Sequence, residues 1–210
     1  MANELVLRLI EVLADTIESH ADQLTRLDQA IGDGDHGINM ARGFKELRVQ
    51  KEAIAALPLG EALKKAGMTL VMKVGGASGP LYGTLLIDMG KAAPAGEPTL
   101  ADLSAMLDAG IKGVMARGKA EVGMKTMLDV LCPVADTLRS LVEEGDTAEL
   151  DERIIAATGH ALHHTTHLVA KRGRASFLGE RSKGHIDPGA CSSALLIGGI
   201  VGVLAPHPPA

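Results

Sequence analysis

Aromatic residues are almost absent: Phe44, Tyr82 and Phe177 are the whole supply in 210 residues, with no tryptophan. A base-stacking platform for nucleic acid has nothing to be built from. The net charge of -5 also removes the electrostatic ground for nonspecific phosphate-backbone binding, so no nucleic-acid partner is expected. Cysteine is scarce as well. Cys132 and Cys191 stand far apart and fit no metal-ligand spacing. They read as small buried hydrophobes in a reducing compartment rather than as a disulfide. Long hydrophobic runs are missing: the longest, Ala194 to Pro206, is broken by three glycines and is too short for a bilayer. The amino terminus carries Glu4 and Glu11 and lacks the layout of a signal peptide. These absences point to a cytoplasmic protein with no membrane contact.

What remains is an aliphatic chain, poor in β-branched runs, which favours helices. A single domain over 1–210 is expected. Val6, Ile10, Leu13, Ile17, Ala21 and Leu24 recur at helical spacing over 4–27, with Asn3 as cap. Further helices are expected over 37–56, over 58–74 with Pro58 in the first turn, and over 79–92 with Ser78 as cap. Thr99 and Asp102 form a capping box for a fifth helix, carrying Leu103, Met106, Leu107, Ile111 and Val114. The rest fall over 126–143, with a kink at Pro133, over 148–170, and over 188–205, capped by Asp187 and opened by Pro188. The tail 207–210 is expected to fray. The fold class is therefore all-α: an eight-helix up-and-down antiparallel bundle or barrel.

Up-and-down topology has a consequence. The loops after the first, third, fifth and seventh helices must share one end, and those are the loops with unusual residues. They hold the acids at 28–35, the glycines at 75–79, the glycine-bearing loop 118–123 and the charged stretch 174–189. The loops at the other end are bland turns. Even-numbered helices all begin at the unusual rim, so several positive dipole ends converge there.

The acidic stretch 28–39 is the densest signal. Asp28, Asp33 and Asp35 fall within eight residues, and Gly32 and Gly34 allow the tight turn. Crowded carboxylates repel unless a cation sits between them, and a hard divalent ion with oxygen ligands suits them. A helix start at Gly37 beside them suits phosphate. Read alone, the stretch fits either a metal–nucleotide site or an acidic surface turn with an Asp helix cap. It is not an EF-hand loop, because the sixth and twelfth positions counted from Asp33 are Ile38 and Phe44. Nor is it a Rossmann turn, because helix rather than strand precedes Gly32.

Two other patterns mislead. Gly118-Lys-Ala-Glu-Val-Gly-Met-Lys-Thr126 nearly matches a phosphate-binding P-loop, but carries one residue too many before Lys125 and follows no strand. It is retained only as a contributor to a phosphate site. His160, His163, His164 and His167 share one helix, yet no third-ligand pattern accompanies the His163/His167 pair. They read as a solvated or partly buried face. Among Lys171, Arg172 and Arg174, the last is best placed to reach the rim and neutralise phosphate charge.

Four ordered motifs carry a family resemblance spanning about 5–205. Gly32-Asp-Gly-Asp-His-Gly-Ile-Asn-Met-x-Arg-Gly43, Gly75-Gly-Ala-Ser-Gly-Pro-Leu-Tyr-Gly83, Gly173-Arg-Ala-Ser-Phe-Leu-Gly-Glu-Arg181 and Asp187-Pro-Gly-Ala190 resemble the nucleotide-binding L subunit of bacterial dihydroxyacetone kinase, the DhaL family. The resemblance implies an eight-helix barrel with ADP or ATP and two Mg²⁺ at one end. It implies Asp28, Asp33 and Asp35 as metal ligands. His36, Gly37, Ile38, Asn39, Ala77, Ser78 and Gly79 would hold the nucleotide, chiefly its phosphates. Gly118 and Met127 would line the adenosine side, and Arg174, Asp187, Pro188 and Gly189 would complete the site, with Arg174 stabilising the transferred charge. With so few aromatics, the adenine would rest on aliphatic or Met side chains.

The chain offers no room for a second domain to bind the triose. In the family a separate K subunit does so, holding dihydroxyacetone covalently. In phosphotransferase-linked systems ADP stays bound as a coenzyme and is recharged by a phosphocarrier M subunit; in others ATP is used directly. The residues do not choose between these, nor between a triose and a tetrulose. A nucleotide-state sensor acting on a transcription regulator is the alternative of a different class, and a homodimer is among the expected assemblies.

Overall fold

The computed structural model describes residues 3–145, 147 and 149–205. Expectations placed on the tail 207–210, on the end of the apolar run at 206, and on 146 and 148 lie outside that set. Every regular element among the described residues is helical. The α-helices are α1 (Glu4–Ser19), α2 (Ala21–Ile31), α3 (His36–Val49), α4 (Lys51–Ala55), α5 (Leu59–Lys73), α6 (Ser78–Ala92), α7 (Leu100–Gly118), α8 (Leu128–Glu144), α9 (Leu150–His164) and α10 (Pro188–Leu204). Two 3-10 stretches, Thr165–His167 and Arg174–Ser182, lie between α9 and α10.

Local side-chain caps account for the starts of three helices. Asn3 accepts from the N–H groups of Leu5 and Val6 and so starts α1. Thr99 and Asp102 form the reciprocal capping box of α7. Asp187 accepts the Ala190 N–H at 2.7 Å and starts α10, with Pro188 at its first position.

The differences from expectation have physical reasons. The helix expected over 4–27 is two pieces, because the backbone departs from helical values at His20, whose ring pairs with the Thr16 carbonyl at 2.7 Å. The helix expected over 37–56 breaks in the same way at Gln50. A one-residue break leaves the apolar stripe in phase, so periodicity alone runs through it. The helix expected to reach 170 stops at His164. The hydroxyls of Thr165 and Thr166 donate to the carbonyls of Leu162 and His163, which gives the final turn partners other than a continuing helix. Ser78 does not cap α6; it is the first helical residue, and no side-chain cap bond is made at Ala77 before it.

The longer helices close a ring. α1 packs on α3, α3 on α5, and each of α5 to α9 on the next; α9 packs on α10, and α10 returns to α1. α2 continues α1 and lies against α3 and α10. The interior is aliphatic, with Ile17, Leu24, Met40, Leu70 and Leu128 fully enclosed beside Phe44 and Tyr82. Closest approach between neighbours is made through glycine. A Cβ on Gly67 of α5 would stand 2.7 Å from the Gly83 carbonyl of α6, and a Cβ on Gly83 would stand 2.7 Å from the Gly67 carbonyl.

Candidate functional site

The expected rim exists. A cleft of about 550 Å³ at one end is lined from all four unusual loops: Asp28 to His36, Gly76 to Tyr82, Val114 to Leu128, and the pair of segments Arg172 to Ala175 and Asp187 to Gly189. α3, α6, α8 and α10 begin at this cleft, so four positive dipole ends face it. A second, more open groove of about 610 Å³ runs along α1 and α10. Its lining is mostly aliphatic and gathers none of the motif loops.

The acids meet as the local sequence requires. Gly32 and Gly34 turn the chain between α2 and α3, which brings oxygens of Asp28, Asp33 and Asp35 within 4.8 Å of one another. Asp28 is buried and also serves the helix that follows. One of its oxygens accepts the N–H groups of Asp35 at 2.9 Å and His36 at 3.1 Å. It therefore caps α3 from the preceding helix. The Arg174 guanidinium reaches across the cleft to Asp33 at 2.7 Å. Two oxygens bound on opposite sides of one Mg²⁺ lie about 4 Å apart at ordinary bond lengths. The trio thus fits a hard divalent cation after a small rotation of the two exposed side chains. Among the described residues no other group of His, Cys, Asp and Glu converges in this way.

Beneath the cleft lies a polar floor. His36 pairs through Nδ1 with the Ser78 hydroxyl at 3.0 Å and through Nε2 with Ser192 at 2.9 Å. The Tyr82 hydroxyl meets Ser192 and Ser193, each at 2.7 Å, and the Gly189 carbonyl accepts from both serines. Burial lowers the His36 pKa against the opposing pull of Asp28 and Asp35. Burial likewise pushes the Tyr82 hydroxyl well above its ordinary range. Both groups stay neutral, and the network locks the starts of α3, α6 and α10 together.

Of the residues expected at the site, Asp28, Asp33, Asp35, His36, Ala77, Ser78, Gly118, Met127, Arg174, Asp187, Pro188 and Gly189 line the cleft. Gly37, Ile38, Asn39 and Gly79 do not. A Cβ at Gly37 would run into the Ala21 carbonyl, so this glycine serves the packing of α3 on α2. Gly79 does the same for α6 against the end of α5 at Leu70 and Val74. Ile38 is 63% exposed and faces away. The Asn39 side chain is buried beside the glycine loop and accepts from Arg42 at 2.8 Å. The His36 ring, expected toward phosphate, has both nitrogens engaged in the floor.

Sequence reasoning missed the floor residues Tyr82, Ser192 and Ser193 and the inward course of Lys125. The usable signals were the lone tyrosine inside a glycine motif and a serine pair in an otherwise apolar helix. The helical histidines stay apart from the cleft; their nearest rings are edge-on, with centroids 5.8 Å apart.

Gly76 gives a direct test of the loop. Its φ is +64°, a conformation that β-branched residues resist, and an added Cβ would lie about 4 Å from an Asp35 oxygen. Gly76→Val is expected to keep wild-type helix content while weakening Mg-ADP binding at least tenfold by calorimetry. Unchanged affinity would remove the loop from the site.

These features define a class: an all-helical barrel with one mouth of mixed charge, acidic on one lip and basic on the other, onto which four helices start. The chain belongs to the DAK2-domain family, whose pattern matches residues 30–202. It is 46% identical over 190 residues to the ADP-binding subunit DhaL of PEP-dependent dihydroxyacetone kinase 1 from Listeria innocua, covering 90% of this chain and 91% of that one. It is also 46% identical over 180 residues to the ADP-binding subunit DhaL of Escherichia coli K12, with 85% and 86% covered. The crystal structure of the dihydroxyacetone kinase of C. freundii matches with a TM-score of 0.76 at 24% identity, over 96% of this chain and 35% of that one. Its complex with AMP-PNP and Mg²⁺ matches with a TM-score of 0.74 at 22% identity, over 96% and 34%. At those identities the structural likeness speaks for the fold.

Proposed function

We propose that this chain is the ADP-binding subunit of a dihydroxyacetone kinase, delivering a phosphoryl group to dihydroxyacetone held by a separate K subunit. The observation that carries the reading is the acidic trio facing Arg174 across a cleft where four helices begin. The relatives matched over about nine-tenths of their length are named as DhaL subunits, which supports it. Asp28, Asp33 and Asp35 hold the cation. Two Mg²⁺ ions are what the family resemblance implies, and the charge of three carboxylates beside a polyphosphate is in keeping with that count. Bound Mg²⁺ supplies a Lewis-acidic charge that offsets the charge on the transferring phosphoryl oxygens.

This chain's own residues orient and neutralise. The backbone at Ala77 and Ser78 offers helix-start N–H groups to the phosphates, and Gly189 lines the cleft beside them. Arg174, 71% exposed in its side chain, is free to turn from Asp33 toward a phosphoryl oxygen and stabilise charge there. Gly118 and Met127 form the adenosine wall. No side chain here acts as a nucleophile; the acceptor and its base sit on the partner. ADP serves as a bound coenzyme that a phosphocarrier M subunit recharges, in keeping with the PEP-dependent naming of the relatives.

Purified chain with Mg²⁺ and ATP alone is expected to leave dihydroxyacetone unphosphorylated. Adding K and M subunits with the phosphotransferase components and phosphoenolpyruvate should start turnover without net ATP use. Turnover by the isolated chain would overturn the divided-site reading. Turnover with ATP and the K subunit alone would overturn the coenzyme role of ADP.

A further inference from the structure

Lys125 is the largest of the fully buried side chains, 1% exposed, and its backbone takes a left-handed φ of +59°. An L-residue pays for that conformation. It sends the side chain inward, so that Lys125 is enclosed at the wall of the cleft it helps to line. Its ammonium donates to the Thr165 carbonyl and to the His185 carbonyl, both at 2.5 Å. Thr165 directly follows α9, and His185 precedes the Asp187 cap of α10. Asp187 is itself tied back, its N–H donating to the Thr165 hydroxyl at 3.2 Å. On the other side of the loop, buried Asp129 accepts the N–H groups of Gly123 at 2.5 Å and Thr126 at 2.7 Å. The loop is thus held by a cation on one side and a carboxylate on the other. The two walls are neighbours: a Cβ added at Gly189 would come into ordinary van der Waals contact with the Met127 nitrogen at 3.6 Å.

We propose that Lys125 is a positioning residue for the nucleotide: its buried ammonium joins the adenosine wall, made by Gly118 and Met127, to the phosphate wall at Asp187 to Gly189 and fixes the distance between them. This rests on the nucleotide reading given above. The near-match to a P-loop suggested a lysine on phosphate. With two donors committed to carbonyls and the side chain enclosed, Lys125 acts instead through the walls. The charges of Asp187 and Asp129 sustain the ammonium against a pKa lowered by burial. Burial also raises the Asp187 carboxyl to about 7, with the Ala190 N–H and then Lys125 pulling it back. The two groups therefore steady each other.

The test compares Lys125→Met with Lys119→Met, an exposed cation of the same loop. Calorimetry would read Mg-ADP affinity and, separately, Mn²⁺ affinity without nucleotide, at a temperature where circular dichroism shows full helix content. Lys125→Met is expected to raise the Kd for Mg-ADP by roughly thirtyfold, the scale of lost buried hydrogen bonds. It should leave Mn²⁺ binding at the acidic trio within threefold of wild type, and Lys119→Met should change neither. A merely structural role moves melting temperature without separating the two affinities. If Lys125→Met does not fold, Lys125→Gln, which keeps an N–H donor, should raise the Kd severalfold. Wild-type Mg-ADP affinity in a folded Lys125 variant would overturn the proposal, as would equal losses of ADP and Mn²⁺. Absence of ADP binding by the wild type would instead defeat the nucleotide reading.

Discussion

Removing divalent metal with EDTA is expected to lower the melting temperature of the nucleotide-loaded wild type by about 5–10 °C. Ligand at about a hundred times its Kd stabilises by roughly 2.7 kcal/mol, and a domain of this size moves about 2–4 °C per kcal/mol. Asp33→Ala and Asp35→Ala should start near the lower value and barely respond to EDTA. Like charges about 4 Å apart repel by several kcal/mol at an intermediate dielectric, so without the cation the remaining carboxylates oppose the nucleotide phosphates. Mg-ADP affinity should fall by orders of magnitude accordingly. Asp28→Ala should behave differently. Its carboxylate also caps α3 through the N–H groups of Asp35 and His36, so about 1 kcal/mol more should be lost even in EDTA. An acidic surface turn predicts small, similar shifts in all variants and no EDTA effect. A wild-type melting curve indifferent to EDTA and to Mg-ADP would sink the metal–nucleotide reading.

Gly83→Val is expected to cost about 3 kcal/mol, the upper end of ordinary overpacking, or about 6–12 °C in melting temperature. The neighbours of an added side chain there include the Gly67 carbonyl and the Val71 nitrogen, so backbone must move rather than a rotamer. α5 and α6 carry the cleft's glycine loop between them, so parting them should also loosen the Gly76 to Ser78 turn. Gly159→Ala supplies the opposite sign. It lies inside α9 with open space around the Cβ position, so alanine should gain about 0.5–1 kcal/mol through helix propensity alone. Thermal melts of both variants decide the matter; a Gly83→Val protein as stable as wild type would mean that the two helices do not approach through glycine.

The helical character of the chain, and most of where its helices start, could be read from the residues alone. Asn3, the Thr99–Asp102 box and Asp187–Pro188 act on backbone within three residues, so their effect is local and legible. Alternation of direction then followed from short connections, and with it the gathering of four loops at one cleft. The breaks at His20 and Gln50 escaped, because a single residue out of helix does not disturb an apolar stripe. The glycines divided only in three dimensions. In the sequence Gly37, Gly76 and Gly79 look alike; Gly37 and Gly79 are packed against neighbouring backbone, and Gly76 alone of the three turns the cleft loop. Ser78, read as a cap, meets His36 instead.

Lys125 shows the limit most clearly. Loop lysines in glycine-rich sequence ordinarily face solvent or phosphate. Only tertiary structure brings the carbonyls of Thr165 and His185 to its ammonium, across sequence separations of 40 and 60 residues. The floor of His36, Tyr82, Ser192 and Ser193 has the same origin. Buried polar groups must find partners, and which partners they find is set by how the barrel closes, a fact no local pattern carries.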